Sequence, residues 1–254
     1  MSAFGVGLIG LLGLVVGSAI WVVSWARATD RPLLSGPVCA NPECGQPLPI
    51  IAWLPFLGLG MARTCAACHT AQPVRRIAFE VAVAIYFGLA AATAGTKPRL
   101  LVAILVFAVP ILVILLIDTW TRFIYTDIVG VGVAAGVIYA GLDSIAKGSP
   151  RYLASSVVAA AIGVIFFAFL FVIAAVVYRS VRVVPFGMGD VYLAGMIGAM
   201  LRFPNGPYAL IAGILIAGVA SVILLLTRRA GMRQAIAYGP YLCAGALIYL
   251  LRPV

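Results

Sequence analysis

Residues 100–118 read Leu-Leu-Val-Ala-Ile-Leu-Val-Phe-Ala-Val-Pro-Ile-Leu-Val-Ile-Leu-Leu-Ile-Asp, an uncharged apolar run closed by the carboxylate of Asp118. At 1.5 Å of rise per residue the run is about 27 Å long as a helix, close to the roughly 30 Å hydrocarbon layer of a bilayer. Outward from it the same pattern recurs. Apolar runs bounded by charge, Pro or Gly fall at 3–25, 77–95, 127–142, 152–178, 189–202, 207–227 and 236–251. With 100–117 they make eight candidate helices, the one at 189–202 being short and opening at a Gly-rich turn. The pattern predicts an all-α polytopic membrane protein of about eight transmembrane helices, with both termini on one side.

Composition agrees. The 254 residues are 64% hydrophobic and 9% charged, against about 25% charged in an ordinary soluble domain, which excludes a water-soluble globule. Seventeen Lys and Arg against seven acids give a net charge of +10. In a soluble protein that excess would suggest a nucleic-acid partner. Here nearly all the bases stand at the ends of apolar runs, where they set membrane orientation and meet anionic headgroups, so no nucleic acid is expected. The first run carries no positive residue before Arg27, unlike a secretory signal, and is read as a permanent helix.

Residues 26–75 break the pattern, holding four of the five cysteines and a disproportionate share of the prolines. They read as one folded insert outside the membrane, between the first two helices. With this loop in the cytoplasm, eleven bases lie inside and six (Lys97, Arg99, Lys147, Arg151, Arg202, Arg252) outside. The positive-inside rule therefore places the loop in the cytoplasm and both termini outside.

Within that loop, Cys39-Ala-Asn-Pro-Glu-Cys44 and Cys65-Ala-Ala-Cys68 form a C-x4-C and a C-x2-C pair separated by twenty residues. The spacing is close to that of a closed tetrathiolate zinc site, and in a reducing compartment paired thiols are more often metal ligands than disulfides. Disulfides or free thiols are the other reading. Four thiolates leave no open coordination position, so the zinc would be structural, folding a loop too small to build its own core. His69 is then a surface histidine and Cys243 an apolar packing residue. Gly5-Val-Gly-Leu-Ile-Gly10 matches G-x-G-x-x-G, but the strand and βαβ unit of a dinucleotide site are missing. These glycines, with Gly13 and Gly17, instead suit close approach of a neighbouring helix.

Carboxylates in or near hydrocarbon are costly and are functional candidates by default. Asp118 ends the third run, Asp127 opens the fourth, Asp190 stands in Pro185-Phe-Gly-Met-Gly-Asp190, and Glu80 lies just inside the second run. At about 100° per residue a continuous helix would put Asp118 and Asp127 on opposite faces, so pairing must come across helices. Asp190 is the natural partner. The Gly187-x-Gly189 frame removes two β-carbons beside it, which would admit a substrate backbone. Two carboxylates sharing a proton are what an aspartic protease requires. Plainer roles exist for each: Asp118 paired with Arg122, Asp190 capping its helix, Asp127 as an N-cap and Glu80 paired with Arg76 at i+4. For Asp127 the capping role is preferred; for Asp118 and Asp190 it is not.

Taken together, these stretches resemble the type IV prepilin peptidases, bifunctional membrane enzymes of the GxGD aspartic class. Gly17-Ser18 resembles the family's G-S motif, and the two Cys pairs, with Trp53-Leu54-Pro55 between them, resemble its cytoplasmic zinc loop. Val74-Arg-Arg-Ile-Ala-Phe-Glu80 resembles the opening of its second helix. Leu116-Ile-Asp118 through Thr126-Asp127 resembles the segment bearing the first catalytic aspartate. Gly187 to Asp190 matches GxGD, and Tyr238-Gly-Pro-Tyr-Leu242 resembles F-G-P-x-L. The first Cys pair is C-x4-C where the family usually has C-x2-C, and Thr126 stands where it often has Pro. The resemblance implies Asp118 and Asp190 as the catalytic pair, Cys39, Cys44, Cys65 and Cys68 as structural zinc ligands, and Glu80 as a residue of the S-adenosylmethionine-dependent methyl transfer. It implies two parts, 1–98 with the Cys loop and 99–254 as the peptidase. The substrate would be the hydrophobic helix of a type IV prepilin or pseudopilin, cut at the cytoplasmic face of the bacterial inner membrane and N-methylated. A proton-coupled secondary transporter would also use intramembrane carboxylates, but the internal repeats common in such proteins are missing here. A zinc-stabilised scaffold would need the cysteines and not the aspartates.

Overall fold

The computed structural model describes residues 2–31, 39, 41, 43–48, 64–71, 74–177, 187–227 and 237–252. Trp53, Leu54, Pro55, Pro185 and Phe186, and the bases Arg63, Arg179, Arg182, Arg228, Arg229 and Arg233 used in the orientation argument, lie outside those residues. Among the described residues the chain is all-helical: α1 (Ala3–Ala28), α2 (Arg75–Ala94), α3 (Pro98–Thr121), α4 (Thr126–Ala146), α5 (Arg151–Val177), α6 (Met188–Leu201), α7 (Asn205–Leu226) and α8 (Gly239–Leu250). Helices α1 to α5 and α7 are long and apolar enough to cross a membrane. α6 and α8, with 14 and 12 residues, are about 21 and 18 Å long and fall short of a full span. Their boundaries have local causes. Gly187 precedes α6 in extended backbone and Arg202 ends it at φ 60°, while Pro240 fits the first turn of α8 because its missing N–H would have no helical partner there.

The chain divides into two compact units, Met1–Leu105 and Val106–Val254. In the first, α1 packs along α2. Gly13 makes this possible, since a β-carbon there would come within 2.8 Å of the Ala84 backbone and 2.9 Å of Phe87. Farther along, Trp21 meets Phe79 at a ring separation of 5.9 Å. This is small-residue packing of the kind membrane helices use in place of a hydrophobic drive.

In the second unit the short α6 is the core. Every residue from Leu193 to Leu201 is buried, against α4, α5, α7 and α8, and the Ser156 hydroxyl of α5 donates 2.7 Å to the Ala199 carbonyl. The long helices keep apolar residues such as Ile165, Val176 and Leu226 exposed, a liability in water that becomes the lipid-facing surface in a bilayer. The direction of the helices sorts the polar groups by end. Asp118, Asp190 and Gly239 lie at one end of this unit; Asp143, Arg151 and Arg202 lie at the other.

Candidate active site

Asp118 sits in the last turn of α3 and Asp190 in the first turn of α6, 4% and 8% exposed. Both are tied to backbone N–H groups. Gly187 N–H donates to Asp190 Oδ2 at 3.1 Å, so one oxygen caps α6 as the plainer reading expected. The first N–H of α8, that of Gly239, donates to Asp118. A helix N-terminus is a natural seat for a carboxylate. The two acids lie within electrostatic reach of each other, and Ile124 links their surroundings. A β-carbon at Gly189 would fall 2.9 Å from Ile124 Cβ, and one at Gly239 would fall 3.4 Å from Ile124 Cδ1.

These contacts divide the roles of the glycine frame. Gly189 is small because Ile124 packs on it, not to admit substrate. Gly187 has only ordinary contacts at 3.8–3.9 Å where a β-carbon would stand, and it remains the position at which a second backbone can approach. Asp127 differs from the pair in burial. It is exposed in the first turn of α4, two residues after the N-cap Tyr125, and its Oδ1 accepts from the Ile128 N–H at 2.9 Å. It therefore serves as a first-turn acid facing the helix dipole, two positions past the N-cap position expected of it.

Gly239 is a site residue that charge and motif spacing did not single out. A β-carbon there would collide with the Asp118 carboxyl, 3.0 Å from its Cγ. Only glycine lets α8 present its first N–H to this acid. Its sequence signals are the Gly-Pro pair opening a helix and the resemblance of Tyr238 to Leu242 to F-G-P-x-L, neither of which gave it a role beside Asp118. Gly239→Ala is expected to displace the carboxyl by about an ångström and lower any activity that depends on Asp118 roughly a hundredfold, with unchanged protein in the membrane fraction. Activity at the wild-type rate would show that Asp118 does not depend on this contact.

In the first unit the four predicted cysteines converge. Their sulfurs all lie within 4.8 Å of one another, with Cys39 to Cys68 at 3.3 Å and Cys44 to Cys65 at 3.8 Å. These are non-bonded separations, far beyond the ~2.05 Å of a disulfide. They resemble the ~3.8 Å edges of a tetrahedron whose metal–sulfur bonds are ~2.3 Å. Local turns set the cluster up. The Asn41 N–H points to Cys39 Sγ at 3.4 Å, Gly45 and His69 take left-handed backbone at φ 60° and 55°, and the Thr64–Ala71 bridge closes the second pair. Burial pushes the Cys39 thiol up to about 12, whereas the Thr70 hydroxyl and backbone N–H pull Cys68 down to about 6. A divalent cation at the centre offsets the repulsion of four thiolates, so the donor set fits Zn²⁺. His69 is exposed and outside the group, and Cys243 is buried in α8.

Glu80 is completely buried on α2. Arg76 Nε donates to its Oε1 at 2.8 Å, and Arg76 Nη2 donates to Ser18 Oγ of α1 at 2.6 Å. The i, i+4 pair is thus formed. Glu80 Oε2, however, is sealed from solvent without a hydrogen-bond partner. An uncompensated carboxylate oxygen is a natural counterpart for a cation such as a sulfonium or an ammonium.

A helical membrane bundle with two buried carboxylates at one end of its larger unit, and a metal-type Cys₄ cluster in the smaller, defines the class. Residues 105–222 match the model of the type IV leader peptidase family, and residues 11–94 match that of the bacterial Peptidase A24 N-terminal domain. The two matches span most of the chain, which belongs to the type IV leader peptidase family. The first contains Asp118 and Asp190; the second contains Ser18, the four cysteines, Arg76 and Glu80. No curated protein and no solved structure matches the chain.

Proposed function

We propose that this peptidase cleaves prepilin or pseudopilin leaders with Asp118 and Asp190 as an aspartic dyad, at the cytoplasmic face of the bacterial inner membrane. The observation that carries the reading is the seating of two buried carboxylates at one end of the same unit, each held by a backbone N–H. One carboxylate, ionised, takes a proton from water, and the resulting hydroxide adds to the scissile carbonyl carbon. The other, protonated, gives its proton to the carbonyl oxygen. Collapse of the tetrahedral intermediate breaks the C–N bond, with the proton taken from water passing to the departing amine. The products are a leader carboxylate and a mature pilin with a free N-terminus. The exposed apolar helix faces would let the substrate's hydrophobic helix slide in laterally, leaving its basic leader at the membrane surface.

The same reading extends to N-methylation of the new amine, in which bound S-adenosylmethionine would supply the methyl group. The first unit supports it through the unpartnered Glu80 Oε2, which would hold the cationic amine or the sulfonium. Co-expression with a prepilin and mass analysis of its N-terminus tests both halves. Glu80→Gln keeps the shape and is expected to yield cleaved pilin with methylation reduced roughly a hundredfold. Full methylation in this variant would confine Glu80 to its pair with Arg76.

A further inference from the structure

At the end of the second unit opposite the aspartates, α4 closes with Asp143 and is followed by Lys147, α5 opens with Arg151 and Tyr152, and α6 ends at Arg202. Lys147 Nζ stands 4.2 Å from the centre of the Tyr152 ring, and the Arg151 and Arg202 guanidinium carbons stand 5.1 and 5.8 Å from it. Three cations converge on one aromatic ring. The carboxylate among them is Asp143, whose Oδ2 lies 2.8 Å from Arg202 Nη1 and 3.8 Å from Lys147 Nζ. One negative charge against three positive leaves a concentrated excess at the boundary of an apolar layer, where repulsion is poorly screened.

Arg202 is the anchored member of the cluster. It occupies φ 60°, ψ 173°, a backbone region that glycine enters easily and other residues rarely. Its guanidinium is fixed there by Asp143 and by the Tyr139 ring, 4.7 Å away. Nη1 is bonded, but Nη2 is shut off from solvent with no partner. A charged donor in that state is strongly unfavourable unless an acceptor arrives. The positive end of the α5 dipole, beginning at Arg151, adds to the same field, and the negative ends of α4 and α6, capped by Lys147 and Arg202, offset part of it. Arginine's fork suits phosphate oxygens in particular.

We propose that Arg202, Lys147 and Arg151 form a phosphate-binding site at the membrane boundary, taking the phosphodiester of an anionic phospholipid headgroup or a free phosphate ion. The full chain in neutral detergent is incubated with phosphatidylglycerol, with phosphatidylcholine or with inorganic phosphate. Retained lipid is read by native mass spectrometry and thermal unfolding is followed in parallel. Wild type is expected to retain phosphatidylglycerol over phosphatidylcholine, with its unfolding midpoint raised. Lys147→Ala combined with Arg151→Ala is expected to weaken that retention about tenfold or more. Both residues are exposed, and the double variant keeps the 2.8 Å Asp143–Arg202 contact while removing only the longer 3.8 Å approach of Lys147 to Asp143, so this variant remains informative should Arg202→Gln fail to fold. Stabilisation by inorganic phosphate in wild type but not in the double variant, with lipid retention equal in both, would support the site and assign it to the free ion. Equal lipid retention and equal phosphate response in wild type and double variant would overturn the proposal.

Discussion

Replacing either Asp118 or Asp190 with asparagine is expected to reduce prepilin cleavage to background, whereas Asp127→Asn retains substantial activity. The reason is division of labour. A lone carboxylate cannot both draw a proton from water and donate one to the carbonyl oxygen, and each role contributes on the order of 10²- to 10⁴-fold. Asparagine keeps the size and the acceptor oxygen of each side chain, so the Gly239 N–H and Gly187 N–H retain a partner and both variants should insert normally. Asp127 is exposed, unlike the buried Asp118 and Asp190, and accepts from the Ile128 N–H in the first turn of its own helix, a position that favours an acid by about 0.3–1 kcal/mol. The measurement is mass analysis of a co-expressed prepilin, normalised to protein in the membrane fraction. An Asp118→Asn chain that processes prepilin like wild type would eliminate the dyad as drawn, and Asp127 would become the partner to test.

How much of this was legible in the sequence depends on the interaction involved. Helix positions follow from apolar runs because, without water, a single segment can satisfy its own backbone polar groups only by closing them into a helix. The run at 100–117 appears as α3 extended by a turn at its C-terminal end. What the runs could not show is depth. α6 and 189–202 nearly coincide, yet the pattern does not reveal that α6 is the buried core of its unit, because a helix apolar on all sides reads alike whether it faces lipid or protein. The acids were legible by rarity. Their surroundings were not, because the contacts of Ile124 with Gly189 and of Gly239 with Asp118 join segments far apart in the chain. The same limit applied to the glycine frame, whose two members look equivalent in sequence and differ only in what packs on them. The cysteines were the easiest case, since short spacing within each pair already restricts geometry. Arg202 was the hardest: nothing in one arginine at a helix end signals a buried, unpartnered nitrogen.

Loss of the metal from the Cys₄ cluster is expected to unfold the loop without unfolding the membrane helices. Four sulfurs within 4.8 Å of one another, and not bonded to each other, are held by short turns and one isolated bridge. Little else described there is buried, apart from Cys39 and Cys65 themselves. Such a segment takes its stability from the ion, and structural zinc supplies about 10–16 kcal/mol in comparable small sites. Purified wild type should contain about one Zn²⁺ per chain. Cys65→Ser combined with Cys68→Ser should contain none and should be cut by protease between α1 and α2, while α4, α5, α7 and α8, which pack around α6, stay protected. The effect on chemistry should be correspondingly uneven: methyl transfer, proposed to belong to the first unit, is lost, and cleavage by Asp118 and Asp190 persists at a reduced rate. A wild-type chain that carries no metal and has all four thiols freely alkylated would defeat this account, and the 3.3 and 3.8 Å sulfur contacts would then have to be explained as thiol packing alone.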